Sequence, residues 1–120
     1  MQDFKKLTVW QKSHVLVLDV YAKTAHFPPD ELFGLVAQMR RAAVSIPANI
    51  AEGSSRGGDK EFAQFLRVAS ASASELEYFS ILIADLAYLG PSQAAELADQ
   101  VIEVGRMLFG LIASCTKRNK

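Results

Sequence analysis

Apolar positions recur at spacings of three and four residues along most of the chain, which is the period of an amphipathic helix. The clearest seam has seven members: Leu32, Leu35, Val36, Met39, Ala43, Ile46 and Ile50. Proline and glycine separate the helical stretches at Pro28-Pro29, Gly57-Gly58 and Gly90-Pro91. The pattern predicts four helices, over roughly residues 8 to 25, 30 to 54, 60 to 88 and 92 to 117.

Four helices of comparable length with short breaks between them are typical of an antiparallel up-and-down four-helix bundle. The fold class is therefore all-α. The chain has 120 residues, 50% of them hydrophobic and 22% charged, which is the size and composition of one packed domain covering residues 1–120. Its longest apolar runs are too short to cross a membrane.

The first and fourth helices are apolar over more than one stripe, although a helix in a monomeric bundle buries only one. The apolar residues in question are Trp10, Val15, Leu16, Val17, Leu18, Val20 and Tyr21 in the first helix, and Val101, Ile102, Val104, Met107, Leu108, Phe109, Leu111 and Ile112 in the fourth. Large exposed apolar surfaces usually mark interfaces. We therefore expect a homo-oligomer in which copies of this chain cover these surfaces.

Charge and cysteine content set the expected environment. Lysine and arginine together number 13, equal to aspartate and glutamate, so net charge alone favours neither nucleic acid nor an anionic membrane. Cys115 is the single cysteine, which excludes an intrachain disulfide, and the first residues are polar without a signal-peptide core. We expect a cytoplasmic protein.

Specific catalytic and cofactor motifs are missing from the sequence. It contains no Glu-x-x-His pair for a di-iron site, no Gly-rich phosphate loop and no Cys-x-x-Cys. The serines of the run from Val68 to Ser74 have no base at a recognisable spacing, so that run indicates a close helix crossing. We expect no enzyme activity, no metal and no cofactor.

The stretch around Pro47 departs from plain bundle patterning. Proline inside a helix removes a hydrogen bond and costs about 3 kcal/mol, so we expect a kink in the second helix at Pro47. Four polar residues follow one another at spacings of four, three and four and so share a face: Ser45, Asn49, Glu52 and Arg56.

Two interpretations of that polar face stay open. It is either a structural network that caps the kink, or part of a basic binding surface with Arg40, Arg41 and Arg67, whose guanidinium groups could grip phosphate. A further basic cluster, Lys117, Arg118 and Lys120, ends the chain, and Lys5 and Lys6 begin it.

Several stretches resemble a bacterial four-helix-bundle family often encoded within intervening sequences of large-subunit ribosomal RNA genes. The matching residues are Phe4–Leu7, Val9–Lys12, Phe27-Pro28, Glu31–Leu35, Gln38–Gly53, Lys60–Phe62, Phe65-Leu66, Ala69, Ser74–Glu77 and Leu89-Gly90. The resemblance covers nearly the whole chain, and the block around Pro47 is its most specific part. It implies a bundle that assembles into a homopentamer. A related accessory protein of diversity-generating retroelements binds nucleic acid and a reverse transcriptase.

The resemblance and the residues together lead to two hypotheses. The first is a non-catalytic oligomeric adaptor that binds structured RNA or DNA weakly, because this chain is neutral where the retroelement accessory proteins are strongly basic. Its phosphate contacts would come from seven residues: Arg40, Arg41, Arg56, Arg67, Lys117, Arg118 and Lys120. The alternative is a protein-protein interaction scaffold that touches no nucleic acid.

Overall fold

The computed structural model describes residues 3–118, and side chains as far as residue 117. Within that range the chain is all-helical, with no strand. The elements are a short 3₁₀ helix (Phe4–Lys6), α1 (Thr8–Thr24), a 3₁₀ turn (Pro29–Glu31), a π-helical turn (Leu32–Val36), α2 (Ala37–Ser54), α3 (Asp59–Asp85) and α4 (Pro91–Arg118). The four predicted helices are confirmed.

The helices form a long bundle that measures 47 × 21 × 20 Å along its principal axes. Each helix packs against the next one in the chain, and α4 returns to pack against α1. Two ion pairs join α1 to α4, Lys12 to Glu103 and Lys23 to Glu96, and their order shows that the two helices run in opposite directions. The starts of α1 and α3 therefore lie at the same end of the bundle as the ends of α2 and α4.

One continuous apolar core runs through the bundle and takes residues from all four helices. Its largest fully buried side chains are Leu16, Val20, Met39, Ile46, Ile50, Leu66, Leu76, Ile83, Leu97, Val101, Val104 and Leu108. The seam predicted for the second helix supplies three of them, so periodicity located the core face correctly. Among the described residues, no helix is long and apolar enough to cross a membrane.

The second helix begins differently from its prediction. The π-helical turn contains Gly34 with φ −106° and ψ −106°, and regular α-helix starts only at Ala37. From there α2 continues through Pro47 to Ser54 without interruption. A marked departure from α-helical backbone lies at Gly34, about three and a half turns before Pro47, and the kink expected at Pro47 stays a prediction.

The third helix ends at Asp85, three residues before its predicted end. Ala87 adopts a left-handed conformation with φ 59°, and the backbone N–H of Tyr88 donates to the carbonyl of Ile83 at 3.0 Å. The N–H of Ala87 donates to the carbonyl of Ala84 at 3.1 Å. This pair of bonds is a Schellman motif, which usually takes glycine at the left-handed position. Alanine there hid the helix end from sequence analysis.

Candidate nucleic-acid interface

Arg40 lies between α1 and α2 and is half-buried. Its Nε donates to Thr24 Oγ1 at 3.0 Å, and its guanidinium carbon lies 4.5 Å from the centre of the Tyr21 ring. A cation over an aromatic face is favourable, and a guanidinium also stacks on such a face. Arg40 therefore ties α2 to α1 through these contacts.

Arg41 is the next residue but lies on a different side of α2. Successive helical residues are separated by about 100° around the axis, so Arg41 faces α3, where it lines a shallow groove with Ser72 and Glu75. Arg41 is exposed. The basic patch predicted from Arg40 and Arg41 is therefore divided between two helix interfaces.

The polar face predicted along α2 is divided in the same way. Asn49 Nδ2 donates to the Ser45 carbonyl at 2.8 Å and to Ser45 Oγ at 3.0 Å. Ser72 of α3 donates to Ser45 Oγ at 2.8 Å, which makes the cluster a polar bridge between two helices. Sequence analysis missed Ser72 because it lies 27 residues from its partner.

Glu52 and Arg56 form a separate pair at the end of α2. Arg56 Nη2 lies 3.2 Å from Glu52 Oε2, and both side chains are about half exposed. The guanidinium carbon of Arg56 also lies 5.2 Å from the Phe65 ring centre. Exposed pairs of this kind contribute at most about 1 kcal/mol to stability. Because its side chain is about half exposed, Arg56 keeps an accessible charge.

Arg67 lies on α3 beside the last turns of α4. It lines a shallow groove with Lys60, Cys115 and Thr116, and both Lys60 and Arg67 are exposed. Lys117 of α4 is exposed as well. Arg118 and Lys120 were also predicted as phosphate contacts. The side chain of Arg118 and the whole of Lys120 lie outside the described residues.

A cluster that sequence analysis missed joins α1 to α4. The Lys23 ammonium contacts Asp19 at 2.6 Å and Glu96 at 2.8 Å, and its side chain is 8% exposed. Gln100 Nε2 donates to Asp19 at 3.0 Å. Burial lowers the pKa of Lys23, but hydrogen bonds and charge attraction from the two carboxylates outweigh it and leave the pKa raised. Only the Asp19–Lys23 spacing of four was visible in the sequence.

A second hydrogen bond involving a titratable group secures the turn before α2. The Tyr88 hydroxyl donates to Glu31 Oε2 at 2.9 Å, and the Tyr88 ring packs 5.3 Å from that of Phe27. The bond to the carboxylate raises the pKa of Tyr88, because ionising the phenol would end the donation. The turn between α1 and α2 is thereby fastened to the end of α3.

Two of the outward-facing apolar surfaces lie on α1 and between α3 and α4, and Phe33, Tyr78 and Ile81 are exposed elsewhere. On α1, Val15 and Leu18 are 59% and 57% exposed, and the charged residues nearest to them, Lys12, Asp19 and Lys23, pair toward α4 and within α1. The second surface lies along a groove between α3 and α4, whose edge carries Phe109 at 75% exposure. The floor of that groove is made of small residues, including Ser70, Ala73, Ser74 and Gly105.

The described residues hold no group of three or more His, Cys, Asp or Glu side chains placed to share a metal ion. Their exposed arginines, exposed lysines and apolar surfaces can bind other molecules through charge and burial. The fold and these surfaces define a four-helix bundle with charged and apolar side chains facing outward.

Residues 5–110 match the family model described as 23S rRNA-intervening sequence protein. The chain belongs to the 23S rRNA-intervening sequence protein family. The predicted family resemblance is thus confirmed over most of the chain.

A solved structure of a protein with unknown function from the S23 ribosomal protein family of Bacteroides thetaiotaomicron has a similar fold. The TM-score is 0.79 at 24% identity, covering 88% of this chain and 98% of that chain. At this identity the likeness shows the fold alone. A comparison with curated protein sequences gave no match.

Proposed function

We propose that this protein is a non-catalytic adaptor that acts as a cytoplasmic homo-oligomer and binds structured RNA or DNA weakly. The observation that carries the proposal is the pair of outward apolar surfaces, on α1 at Val15 and Leu18 and along the α3–α4 groove at Phe109. Water contact with such side chains is unfavourable by roughly 25 cal/mol per Å² of apolar area. Association between copies removes that contact.

The two surfaces lie on different helices, which favours a contact between unlike faces of neighbouring copies. Contacts of that kind close into rings or extend into filaments. By resemblance to the pentameric members of the family, we infer a closed assembly of five copies. Such an assembly repeats each exposed cation by symmetry, so weak phosphate contacts add through avidity.

Light scattering on the purified protein tests the assembly. We expect a mass of several chains, and we expect the double substitution Val15→Asp with Leu18→Asp to yield single chains, because two carboxylates would be buried without partners. Leu86→Asp is the matched control, since Leu86 is 45% exposed but lies at the end of α3. A monodisperse single chain for the unmodified protein would contradict the oligomeric proposal.

Fluorescence anisotropy tests the nucleic-acid part of the proposal. The purified oligomer is titrated against a structured RNA and a duplex DNA at low and near-physiological salt. We expect weak binding that falls steeply with salt, as counterion release requires. No binding at low salt would remove nucleic acid from the proposal.

The second candidate function is a protein-protein interaction scaffold. It is favoured by the equal numbers of acidic and basic residues and by the groove between α3 and α4, whose small-residue floor could seat a partner helix. Partner capture that survives nuclease treatment, together with absent nucleic-acid binding, would support this function over the first.

A further inference from the structure

The overall neutrality of the chain hides a strong separation of charge along the bundle. The antiparallel topology gathers residues 3–11, 50–68 and 109–117 at one end, which we name the basic end. These ranges contain six lysines and arginines against four aspartates and glutamates, a net charge of +2, and the sequence continues with Arg118 and Lys120.

The opposite end, named the acidic end, comprises residues 19–36 and 74–100. It contains eight aspartates and glutamates but a single lysine, Lys23, for a net charge of −7. The bundle is 47 Å long, whereas charges are screened over about 8 Å at physiological ionic strength. The acidic end therefore does not cancel the field of the basic end, and the net charge of zero is a poor guide to binding.

The cations of the basic end remain accessible. Lys5, Lys6, Lys60, Arg67 and Lys117 are all exposed, and within the described side chains none of them forms an ion pair. They come from three elements: the first 3₁₀ helix, which packs against α1 and α2, the start of α3 and the last turns of α4.

We infer that the basic end, with Lys60, Arg67 and Lys117 as its centre, is the surface that receives the sugar-phosphate backbone of a nucleic acid. The inference rests on the proposed function and names its site. Lys60 and Arg67 are two helical turns apart, which is roughly 10 Å along α3, so they reach different phosphates. Contacts to phosphate position a protein without reading sequence.

The acidic end contributes to this recognition because its carboxylates repel nucleic acid. A polyanion approaching it meets eight carboxylates, so the protein binds end-on and with one polarity. Copies that associate side by side with the same polarity present all their basic ends on one face. Arg40 lies outside this surface, and its guanidinium contacts Thr24 and Tyr21 on α1.

The test compares two double variants that remove equal charge. Lys60→Gln with Arg67→Gln alters the basic end, and Lys12→Gln with Arg106→Gln alters two exposed cations outside it. Each binds a labelled duplex DNA and a structured RNA over a series of salt concentrations. Each duplex phosphate contact contributes about 0.9 to the slope of log K against log salt.

For duplex DNA we expect the basic-end variant to lower that slope by about 1.8 and the control variant to leave it unchanged. An unaltered slope in the basic-end variant, or equal losses in both, would overturn the inference while the proposed function stood. Absent binding of the unmodified protein to either nucleic acid would overturn both, and so would binding to phosphatidylserine vesicles alone.

Folding is checked by thermal melting and light scattering on each variant. If the basic-end double variant does not fold, Lys117→Gln takes its place, since Lys117 is an exposed residue near the end of α4. We expect it to lower the slope by about 0.9 for duplex DNA. A wild-type slope in that folded variant would remove Lys117 from the site and overturn the inference.

Discussion

Positive charges do different work at the two ends of the bundle. Near the acidic end, Lys23 lies between two carboxylates with 8% of its side chain exposed, and Arg40 stacks on Tyr21. At the basic end, Lys60 and Lys117 extend into solvent without ion pairs among the described side chains. The same residue type therefore secures helices at one end and remains available to a ligand at the other.

Close packing between α2 and α3 holds the basic end together. Gly53 of α2 lies so near α3 that a Cβ atom at this position would approach the Phe65 Cβ to 2.6 Å and Phe62 Cδ1 to 3.0 Å. Both neighbours are parts of the α3 side that packs on α2, so little can move aside. Glycine here permits a helix crossing that no other residue allows.

The largest predicted effect is therefore the loss caused by Gly53→Ala. We expect the free energy of unfolding to fall by about 2 to 3 kcal/mol, because overpacking outweighs the higher helix propensity of alanine. Urea denaturation measures the change. Gly110→Ala in α4 is the control, since a Cβ there meets nothing within 4 Å, and it should raise stability slightly. Equal effects from the two substitutions would contradict the close crossing.

The next effect probes the acidic end. We expect Lys23→Met to lower the free energy of unfolding by about 2 kcal/mol, because it removes charged hydrogen bonds to Asp19 and Glu96 from a mostly buried position. Lys60→Met, at the basic end, should change stability by less than about 0.5 kcal/mol. If both substitutions lower the free energy of unfolding equally, the lysines at the two ends do not differ in their contribution to stability.

Sequence patterning predicted the helices and the core face well, because both follow from the spacing of apolar residues. It also predicted that Ser45 and Asn49 share one face of α2. It could not assign partners across the bundle: Ser72 joins Ser45 from 27 residues away, and Glu96 joins Lys23 from 73 residues away. Such contacts depend on how helices are rotated against each other, which periodicity specifies only coarsely.

The predicted binding residues show the same limit. Arg40 and Arg41 are adjacent in sequence, yet one enters the α1–α2 interface and the other lines the α2–α3 groove. The net charge of the whole chain was a poor guide to binding for a related reason, because it does not show which charged residues the topology brings to one end. Reading charge along the up-and-down path of the helices would have revealed the basic end from sequence.

A smaller effect concerns the end of α3, at the acidic end. Ala87 has φ 59°, a region that costs a residue with a Cβ roughly 1 to 2 kcal/mol. We expect Ala87→Gly to raise the free energy of unfolding by about 0.5 to 1 kcal/mol, the strain relief being partly offset by chain entropy. Ala84→Gly, inside the helix, is the control and should destabilise. A loss of stability from Ala87→Gly would contradict the left-handed conformation.

The smallest predicted effect is a dependence on alkaline pH that arises at the acidic end. The pKa values of Lys23 and Tyr88 are raised above their ordinary values of 10.5 and 10.0, so each group holds its proton more tightly in the folded chain. Their contribution is complete below those ordinary values and is lost as pH rises through the raised ones. We expect urea midpoints to fall above about pH 10, and to fall less steeply in Lys23→Met and in Tyr88→Phe than in Lys60→Met. Parallel curves for all three variants would show that neither bond responds to alkaline titration.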